Sequence, residues 1–171
     1  MKKALLLYSS IDGHTETICK KMAEELGKDT HISSIGDAPE NIDTFETIVI
    51  GASIRYGKYR EEVFKFIEKN KALLESKENA FFSVNVVARK NGKDTPATNP
   101  YVKKFLDRIS WNPQFIDVFA GQIDYPRYGV FDKYAIKMIL WITGGPTDTS
   151  KKYDFTDWIR VKSFANKLNG H

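Results

Sequence analysis

Short apolar runs alternate along the chain with longer segments of helical periodicity, and this alternation limits the fold more than any other feature. The run from Ala4 to Tyr8 is typical of a buried strand, and Ile18, Met22 and Leu26 then recur every four residues, as on one face of a helix. Strands that alternate with helices of about 10–15 residues form right-handed βαβ units, which build a parallel sheet. The pattern therefore predicts an α/β fold.

Four further apolar segments complete the predicted sheet, and helices separate them. The strands are expected at 31–35, 47–53, 80–87 and 115–123, and the later helices from 60, at 101–109 and at 156–168. Five strands in 171 residues suit one domain over residues 1–171. The prediction is a three-layer sandwich with a five-stranded parallel sheet in the flavodoxin-like order 2-1-3-4-5. In that order a ligand binds beyond the carboxyl ends of the strands.

A long segment, 124–150, lies between the fifth predicted strand and the last helix. It exceeds the roughly 2–6 residues of an ordinary βα loop, which indicates a functional insertion. Within it, residues 130–142 are mostly apolar, with Asp132, Lys133 and Lys137 as the only charges. This stretch is too short to span a bilayer. It predicts either a helix that lies in the membrane interface or a helix packed on the sheet or on another subunit of a homo-oligomer.

The distribution of charge indicates an anionic partner. Residues 89–171 carry 14 Lys and Arg against 8 Asp and Glu, whereas residues 1–88 are close to neutral. A membrane surface or a carboxylate-rich substrate fits this asymmetry better than nucleic acid, because the aromatic residues lie within apolar strands and helices. The single cysteine, Cys19, and three scattered histidines predict neither disulfides nor a metal site. The apolar run after Met1 is too short for a signal peptide, which predicts a cytoplasmic protein.

The loop after the first strand is suited to binding an anion. A helix N-terminus offers unpaired N–H groups and the positive end of the helix dipole, hydroxyl groups add donors, and Gly13 permits close approach of the backbone. The loop matches neither the dinucleotide-binding glycine pattern nor the Walker-type pattern. The predicted phosphate-binding residues are Ser9, Ser10, Ile11, Asp12, Gly13, His14 and Thr15.

Two more loops follow strand ends at the same edge of the predicted sheet. Tyr56 is suited to stacking on a flat ligand and Gly57 to close backbone approach, although Tyr56 also fits surface packing and Asn85 also fits loop capping. Three loops that converge on one edge predict a site for flavin mononucleotide (FMN). The residues expected to flank its ribityl chain and ring are Ser53, Tyr56, Gly57, Ser83, Val84 and Asn85.

Several later sequence blocks are more specific than the loop after the first strand. They are Gly-Ala-Ser-Ile-Arg-Tyr-Gly at 51–57, Ser-Val-Asn at 83–85, Ala-Arg-Lys at 88–90, Tyr-Pro-Arg-Tyr at 125–128, Thr-Asp-Thr at 147–149 and Thr-Asp-Trp at 156–158. With these blocks, the chain resembles the flavodoxin-type, quinone-dependent protoporphyrinogen dehydrogenases over essentially its whole length. Ile11 departs from the usual flavodoxin pattern, which has a hydroxyl in the middle of the first loop.

The resemblance implies non-covalent FMN, the oxidation of protoporphyrinogen IX in haem biosynthesis, and transfer of electrons to a membrane quinone, menaquinone or ubiquinone, at the inner face of the cell membrane. The flavin carries the chemistry, and no catalytic acid or base is predicted. Candidate partners for the two propionates of the substrate are Arg55, Arg89, Lys90 and Arg127.

Two alternatives stay open at this point: a flavodoxin-like electron carrier and an NAD(P)H:quinone reductase. Electron carriers of this type usually present an acidic docking face, whereas the second half of this chain is basic. The sequence shows no pyridine-nucleotide fingerprint. Both features favour the dehydrogenase.

Overall fold

Five parallel strands form the central sheet of the molecule, which the computed structural model describes over residues 2–170. The strand order is β2-β1-β3-β4-β5, so the predicted flavodoxin-like order is confirmed. The strands are β1 (Lys3–Ser9), β2 (Asp29–Ser34), β3 (Thr47–Ser53), β4 (Glu78–Val84) and β5 (Phe115–Phe119). The helices that cover the sheet are α1 (His14–Glu25), α2 (Glu61–Ser76), α3 (Pro100–Arg108) and α5 (Trp158–Lys167).

Helices cover both faces of the sheet. Neighbouring side chains of a strand point to opposite faces, so each strand contributes to two core clusters. In β1, Leu6 packs in a cluster with Ile18 of α1 and Phe164 of α5. Leu5 and Leu7 belong to a second cluster, which includes buried side chains of α2 and α3. This two-sided burial explains why β1, β3 and β4 are mostly apolar. Cys19 is fully buried in the first cluster, as expected of a packing residue, and burial raises the pKa of its thiol.

The predicted fifth strand at 115–123 is wrong in its second half. The chain leaves the parallel sheet after β5, and β6 (Gln122–Asp124) pairs antiparallel with β7 (Lys152–Asp154) in a separate two-stranded sheet. The break includes Gly121, where a Cβ would lie 3.3 Å from Cγ1 of Val84. The chain therefore passes close to the end of β4, and this contact has no local signal in the sequence.

Capping side chains explain why one strand and one helix have boundaries that differ from the predicted ones. The fourth strand ends at Val84 and not at residue 87, because Asn85 Oδ1 accepts the N–H of Ala88 at 3.1 Å and begins a 3₁₀ turn. The last helix begins later than residue 156, because Asp157 accepts a backbone N–H of the first turn of α5. Such side chains satisfy N–H groups that have no partner within a helix.

The segment between β6 and β7 forms a helix, α4 (Val130–Ile142), over the predicted residues. Leu140 is buried against Ile123 and Tyr125. Other apolar side chains of α4 are exposed, with exposed fractions of 83% for Phe131 and 74% for Trp141. None of the helices within residues 2–170 combines the length and the apolar character needed to cross a membrane.

Gly51 in β3 permits a close contact inside the core. A Cβ at this position would lie 2.2 Å from Cζ of Phe82 on the neighbouring strand. We expect Gly51→Ala to lower the free energy of unfolding by about 2 kcal/mol, because overpacked cores must shift to relieve such contacts. Urea denaturation measures this change. The control is Gly27→Ala, where no heavy atom lies within 4 Å of the added Cβ; equal unfolding midpoints would contradict the prediction.

Candidate functional site

The loop between β1 and α1 is shaped by Gly13. This residue has a φ of 82°, in the left-handed region that glycine adopts without strain, and it caps α1. Its N–H donates to Ser10 Oγ at 2.9 Å. The first N–H groups of a helix have no partner within the helix, and they carry the positive end of its dipole. This end of α1 is therefore suited to binding an anion.

Thr15 places a buried hydroxyl at the same helix end. Its side chain is fully buried, and Oγ1 has no hydrogen-bond partner in the part of the chain that the structure describes. Thr15 lines a small cavity of about 50 Å³ with Ser10, Asp12 and Ser53 among others. Leaving such a hydroxyl without a partner costs about 1–3 kcal/mol. A bound acceptor in this cavity would remove that cost.

The carboxylate of Asp12 is bound within the protein. Arg55 Nη2 donates to its two oxygens, at 2.6 and 2.7 Å. Arg127 Nη1 donates to the backbone carbonyl of the same residue at 3.3 Å. The guanidinium of Arg55 compensates a negative charge that would otherwise repel an anion at the end of α1. Of the four predicted carboxylate partners, Arg55 is therefore neutralised by Asp12, whereas Arg127 contacts only a neutral carbonyl.

The His14 ring faces the C-terminal part of the chain. Thr156 donates its hydroxyl proton to Ala120 O at 2.9 Å, so its oxygen accepts from His14 Nε2 at 2.7 Å. The ring also packs edge-on against Trp158. Burial lowers the pKa of His14 below its usual value, and Asp154, 3.9 Å away, offsets this only in part. His14 thus offers an anion its backbone N–H, while its neutral ring connects α1 to the segment before α5.

This burial predicts a pH dependence of stability. The unfolded chain binds a proton on His14 near pH 6.5, whereas the folded protein resists protonation until a lower pH. The free energy of unfolding should therefore fall as the pH decreases below about 6.5. In His14→Gln, urea midpoints at pH 7.5 and 5.5 should differ less than in the parent protein. The exposed His31 gives the control, His31→Gln; equal pH dependence in both variants would contradict the assignment.

Arg60 binds side chains at the ends of β1 and β3 and so supports the loop. The sequence analysis did not predict this residue. Its Nε donates to Ser9 Oγ at 2.6 Å and its Nη2 to Ser53 Oγ at 3.0 Å. Ser9 Oγ in turn donates to Glu62 at 2.7 Å. The hydroxyl of Ser9 therefore takes part in an internal network. No local pattern marks Arg60, because its partners come from the ends of β1 and β3.

A tight turn follows β3. Arg55 and Lys58 form a bridge with two backbone hydrogen bonds of 3.1 Å, and the residues between them, Tyr56 and Gly57, have φ values of 50° and 75°. Two consecutive positive φ values are the geometry of a type I′ turn, which glycine adopts easily and tyrosine does not. The turn presents the half-exposed Tyr56 ring, and its hydroxyl donates to Asp132 on α4.

Ser83, which the sequence places beside the ligand, is fully buried. Its Oγ accepts from Tyr59 Oη at 2.7 Å and from Asn85 Nδ2 at 3.0 Å. Asn85 Oδ1 also accepts from Asn99 Nδ2 at 3.0 Å, and burial raises the pKa of Tyr59. This network positions Asn85, which with Val84 lines the small cavity.

A larger cavity of about 540 Å³ adjoins the small one and shares residues with it. This volume lies within the roughly 300–1,000 Å³ typical of small-molecule sites. It is lined by residues 55–57 of the turn after β3, by the residues after β4, by α4 and by Tyr101. Of the predicted site residues, the structure brings Asp12, Arg55, Tyr56, Gly57, Asn85, Arg89 and Lys90 to this cavity, and it adds Lys93. Ile11 lines the small cavity, and its side chain is 53% exposed.

Solved flavodoxin structures share this architecture. Flavodoxin 1 from Bacillus cereus superposes with a TM-score of 0.53 at 16% identity, over 99% of both chains. A short-chain flavodoxin associated with a bacterial microcompartment gives a TM-score of 0.56 at 14% identity, over 98% of this chain and 97% of that one. At these identities the similarity shows the fold alone. The family model described as a flavodoxin domain matches residues 5–150.

Comparison with curated protein sequences identifies a more specific family. The quinone-dependent protoporphyrinogen IX dehydrogenase of Escherichia coli K12 is 41% identical over 170 residues, which cover 97% of this chain and 94% of that protein. The protein of the same name from Leishmania major is 41% identical over 96% of this chain and 73% of its own length. The chain belongs to this protoporphyrinogen IX dehydrogenase family.

As a flavodoxin-domain member of the dehydrogenase family, the chain is expected to bind a flavin, and its residues fit one. The anion-binding end of α1 and the unpartnered hydroxyl of Thr15 match the needs of a phosphate group. The adjoining cavity is lined by loop residues on one side and by apolar side chains of α4 on the other. The end of α1 therefore suits the charged tail of a flavin nucleotide, and the adjoining cavity suits its flat ring.

Proposed function

We propose that the chain oxidises protoporphyrinogen IX to protoporphyrin IX in haem biosynthesis, with FMN as the cofactor and a membrane quinone as the electron acceptor. The observation that carries this proposal is the cavity of about 540 Å³, which extends from the loops at the end of α1 to the exposed apolar helix α4. The relatives from Escherichia coli and Leishmania major indicate the substrate and the quinone through their names.

FMN is held by three loops in this proposal. The phosphate receives backbone N–H groups of the loop and the first turn of α1, together with hydroxyl groups. These ligands come from Ser10, Ile11, Asp12, Gly13, His14 and Thr15. The ribityl chain and ring are flanked by Ser53, Tyr56, Gly57, Val84 and Asn85, whereas Ser9 and Ser83 hold the loops from inside. When bound, FMN supplies the hydride-accepting chemistry.

The protein contributes the walls of the cavity and holds α4 beside the loops. Tyr56 Oη donates to Asp132 at the start of α4, and Arg55 Nη1 lies 3.8 Å from the same carboxylate. Ile136 and Leu140 line the cavity from α4. These contacts place apolar side chains of α4 opposite the turn after β3.

The exposed apolar side of α4 is proposed to lie in the membrane interface. It consists of side chains that are 47% exposed or more: Val130, Phe131, Tyr134, Met138, Ile139, Trp141 and Ile142. Lys133 and Lys137 on the same helix are available to anionic headgroups. Since α4 also lines the cavity, a lipid-soluble quinone reaches the site without crossing water. Attachment is peripheral, at the inner face of the membrane.

Anaerobic mixing of the FMN-loaded protein with protoporphyrinogen IX tests this function. With the flavoprotein in more than threefold excess, we expect the flavin absorbance to bleach as porphyrin fluorescence appears, because each substrate molecule gives up six electrons and each flavin accepts two. Added menaquinone or ubiquinone should restore the absorbance. The control is the same mixture with protoporphyrin IX, which is already oxidised and cannot reduce the flavin. A flavin that stays oxidised with the reduced substrate, but accepts electrons from a redox protein, would contradict the proposal and indicate an electron carrier.

A further inference from the structure

The charged residues of the larger cavity fall into two groups. Asp12 and Arg55 form one group, and they compensate each other through the pair of hydrogen bonds described above. The second group consists of Arg89, Lys90 and Lys93, which come from one short segment after β4. None of these three cations forms an ion pair with a carboxylate within residues 2–170. The cavity therefore has an uncompensated positive end.

The backbone places Lys90 and Lys93 one turn apart. Lys90 N donates to Val87 O at 3.1 Å, and Lys93 N donates to Lys90 O at 3.0 Å. Asn99 holds this segment from inside, because its Nδ2 donates to Lys93 O at 2.8 Å. The lysines thus stand on a folded segment whose position depends on the buried Asn85–Asn99 network.

Arg89 is held between this segment and the end of α4. Its Nη1 donates to Val86 O at 3.2 Å, and its Nη2 lies 3.3 Å from Thr143 Oγ1 and 3.4 Å from Thr143 O. These partners are neutral, so the charge of the guanidinium stays uncompensated. Gly145 leaves the space for it, since a Cβ there would lie 2.8 Å from Nη2. Burial lowers the pKa of Arg89, which reflects the cost of holding this cation away from water.

The remaining walls are mostly apolar or aromatic. Ile54, Tyr101, Ile136, Ile139 and Leu140 line the cavity. A ligand suited to this arrangement has a large flat apolar body and carboxylates along one edge. A tetrapyrrole with two propionate groups has this form.

We propose that Lys90 and Lys93 bind the two propionates of the substrate, with Arg89 fixing the cavity wall behind them. This inference rests on the proposed function, and it orients the substrate within the cavity. The carboxylate edge lies at the 89–93 segment, and the apolar edge points toward α4. Of the two other arginines that the sequence suggested for this role, Arg55 is neutralised by Asp12, and Arg127 is not among the residues that line the cavity. Lys93 determines specificity for the diacid, although no sequence block singled it out.

The test compares protoporphyrin IX with its dimethyl ester, which keeps the ring and removes both charges. Binding to the FMN-loaded protein is followed by quenching of tryptophan fluorescence in detergent micelles. We expect the parent protein to prefer the diacid, and Lys90→Gln/Lys93→Gln to bind the diacid about tenfold more weakly while its affinity for the ester is unchanged. The control is Lys69→Gln, an exposed lysine of α2 that lines neither cavity.

Three results would overturn the inference. Equal diacid affinity in the double variant and the parent protein would remove the lysines from the substrate site. A parallel loss of affinity for the ester would show a general change of shape, which FMN content would also report. Weaker binding to anionic vesicles with unchanged porphyrin affinity would assign the lysines to lipid headgroups. Failure of the proposed function is a separate result, because absence of turnover does not alter the binding preference.

Discussion

Replacing Phe131, Trp141 and Ile142 together by serine is expected to reduce the partitioning of the FMN-loaded protein onto lipid vesicles at least 1,000-fold. These side chains are 83%, 74% and 70% exposed, so the protein itself buries little of them. Full burial of one such side chain in an apolar phase contributes about 1.5–3 kcal/mol, and about 1.4 kcal/mol is a factor of ten. Losing three of them removes most of the attraction to the membrane interface.

Cosedimentation with vesicles that contain anionic lipid measures this effect. The control is Ile159→Ser, because Ile159 on α5 is 80% exposed and lies outside α4. The triple variant should retain its flavin and its unfolding midpoint, since the replaced side chains contribute little to the core. Unchanged partitioning would contradict the membrane assignment. A change of mass in solution, with vesicle binding retained, would identify the surface as a contact between copies of the chain.

Replacing Thr15 by valine is expected to weaken FMN binding about 100-fold while leaving riboflavin binding unchanged. Hydrogen bonds from a hydroxyl to a charged group contribute about 1.5–3 kcal/mol, and riboflavin has no phosphate to receive one. The same substitution should raise the free energy of unfolding of the flavin-free protein by about 1 kcal/mol. The reason is that Thr15 Oγ1 is buried without a partner, and valine has the same shape without the hydroxyl.

Quenching of flavin fluorescence measures both affinities, and urea denaturation of the flavin-free protein measures stability. The matched control is Thr17→Val on the same helix, where Oγ1 already donates to Gly13 O at 3.2 Å and is exposed. A hydroxyl that binds the ligand gives weaker FMN binding and a more stable flavin-free protein when it is removed. A structural hydroxyl gives a less stable flavin-free protein. A Thr15→Val protein that binds FMN as tightly as the parent would remove Thr15 from the phosphate site.

Local sequence patterns predicted those elements whose structure depends mainly on residues close together in the chain. β3 occupies the predicted residues 47–53 because a run of apolar, β-branched residues is buried on both faces of the sheet. α4 occupies the predicted residues 130–142, between the cap at Gly129 and the turn at Thr143. The loop after β1 was located from its hydroxyls and from Gly13, which has a φ of 82° in the structure.

The features that the sequence did not predict depend on contacts between residues far apart in the chain. The pairing of Arg55 with Asp12 joins positions 43 residues apart, so the sequence offered Arg55 as a free cation. Ser83 turned inward because Tyr59 supplies it with a buried donor. The departure of β6 from the sheet depends on β7, which lies after α4 in the chain. Periodicity carries no information on such partners.

By itself the sequence determined the alternation of strands and helices, the position of the loop after β1 and the apolar character of α4, because each follows from the spacing of residues a few positions apart. The strand order was predicted from the topology that such an alternation usually adopts. Only the tertiary structure decided which charges remain available in the cavity. Arg55 is neutralised there by Asp12, whereas Lys90 and Lys93 meet no carboxylate within residues 2–170. The physical reason is that compensation of charge acts through space and depends on which loops the fold brings together.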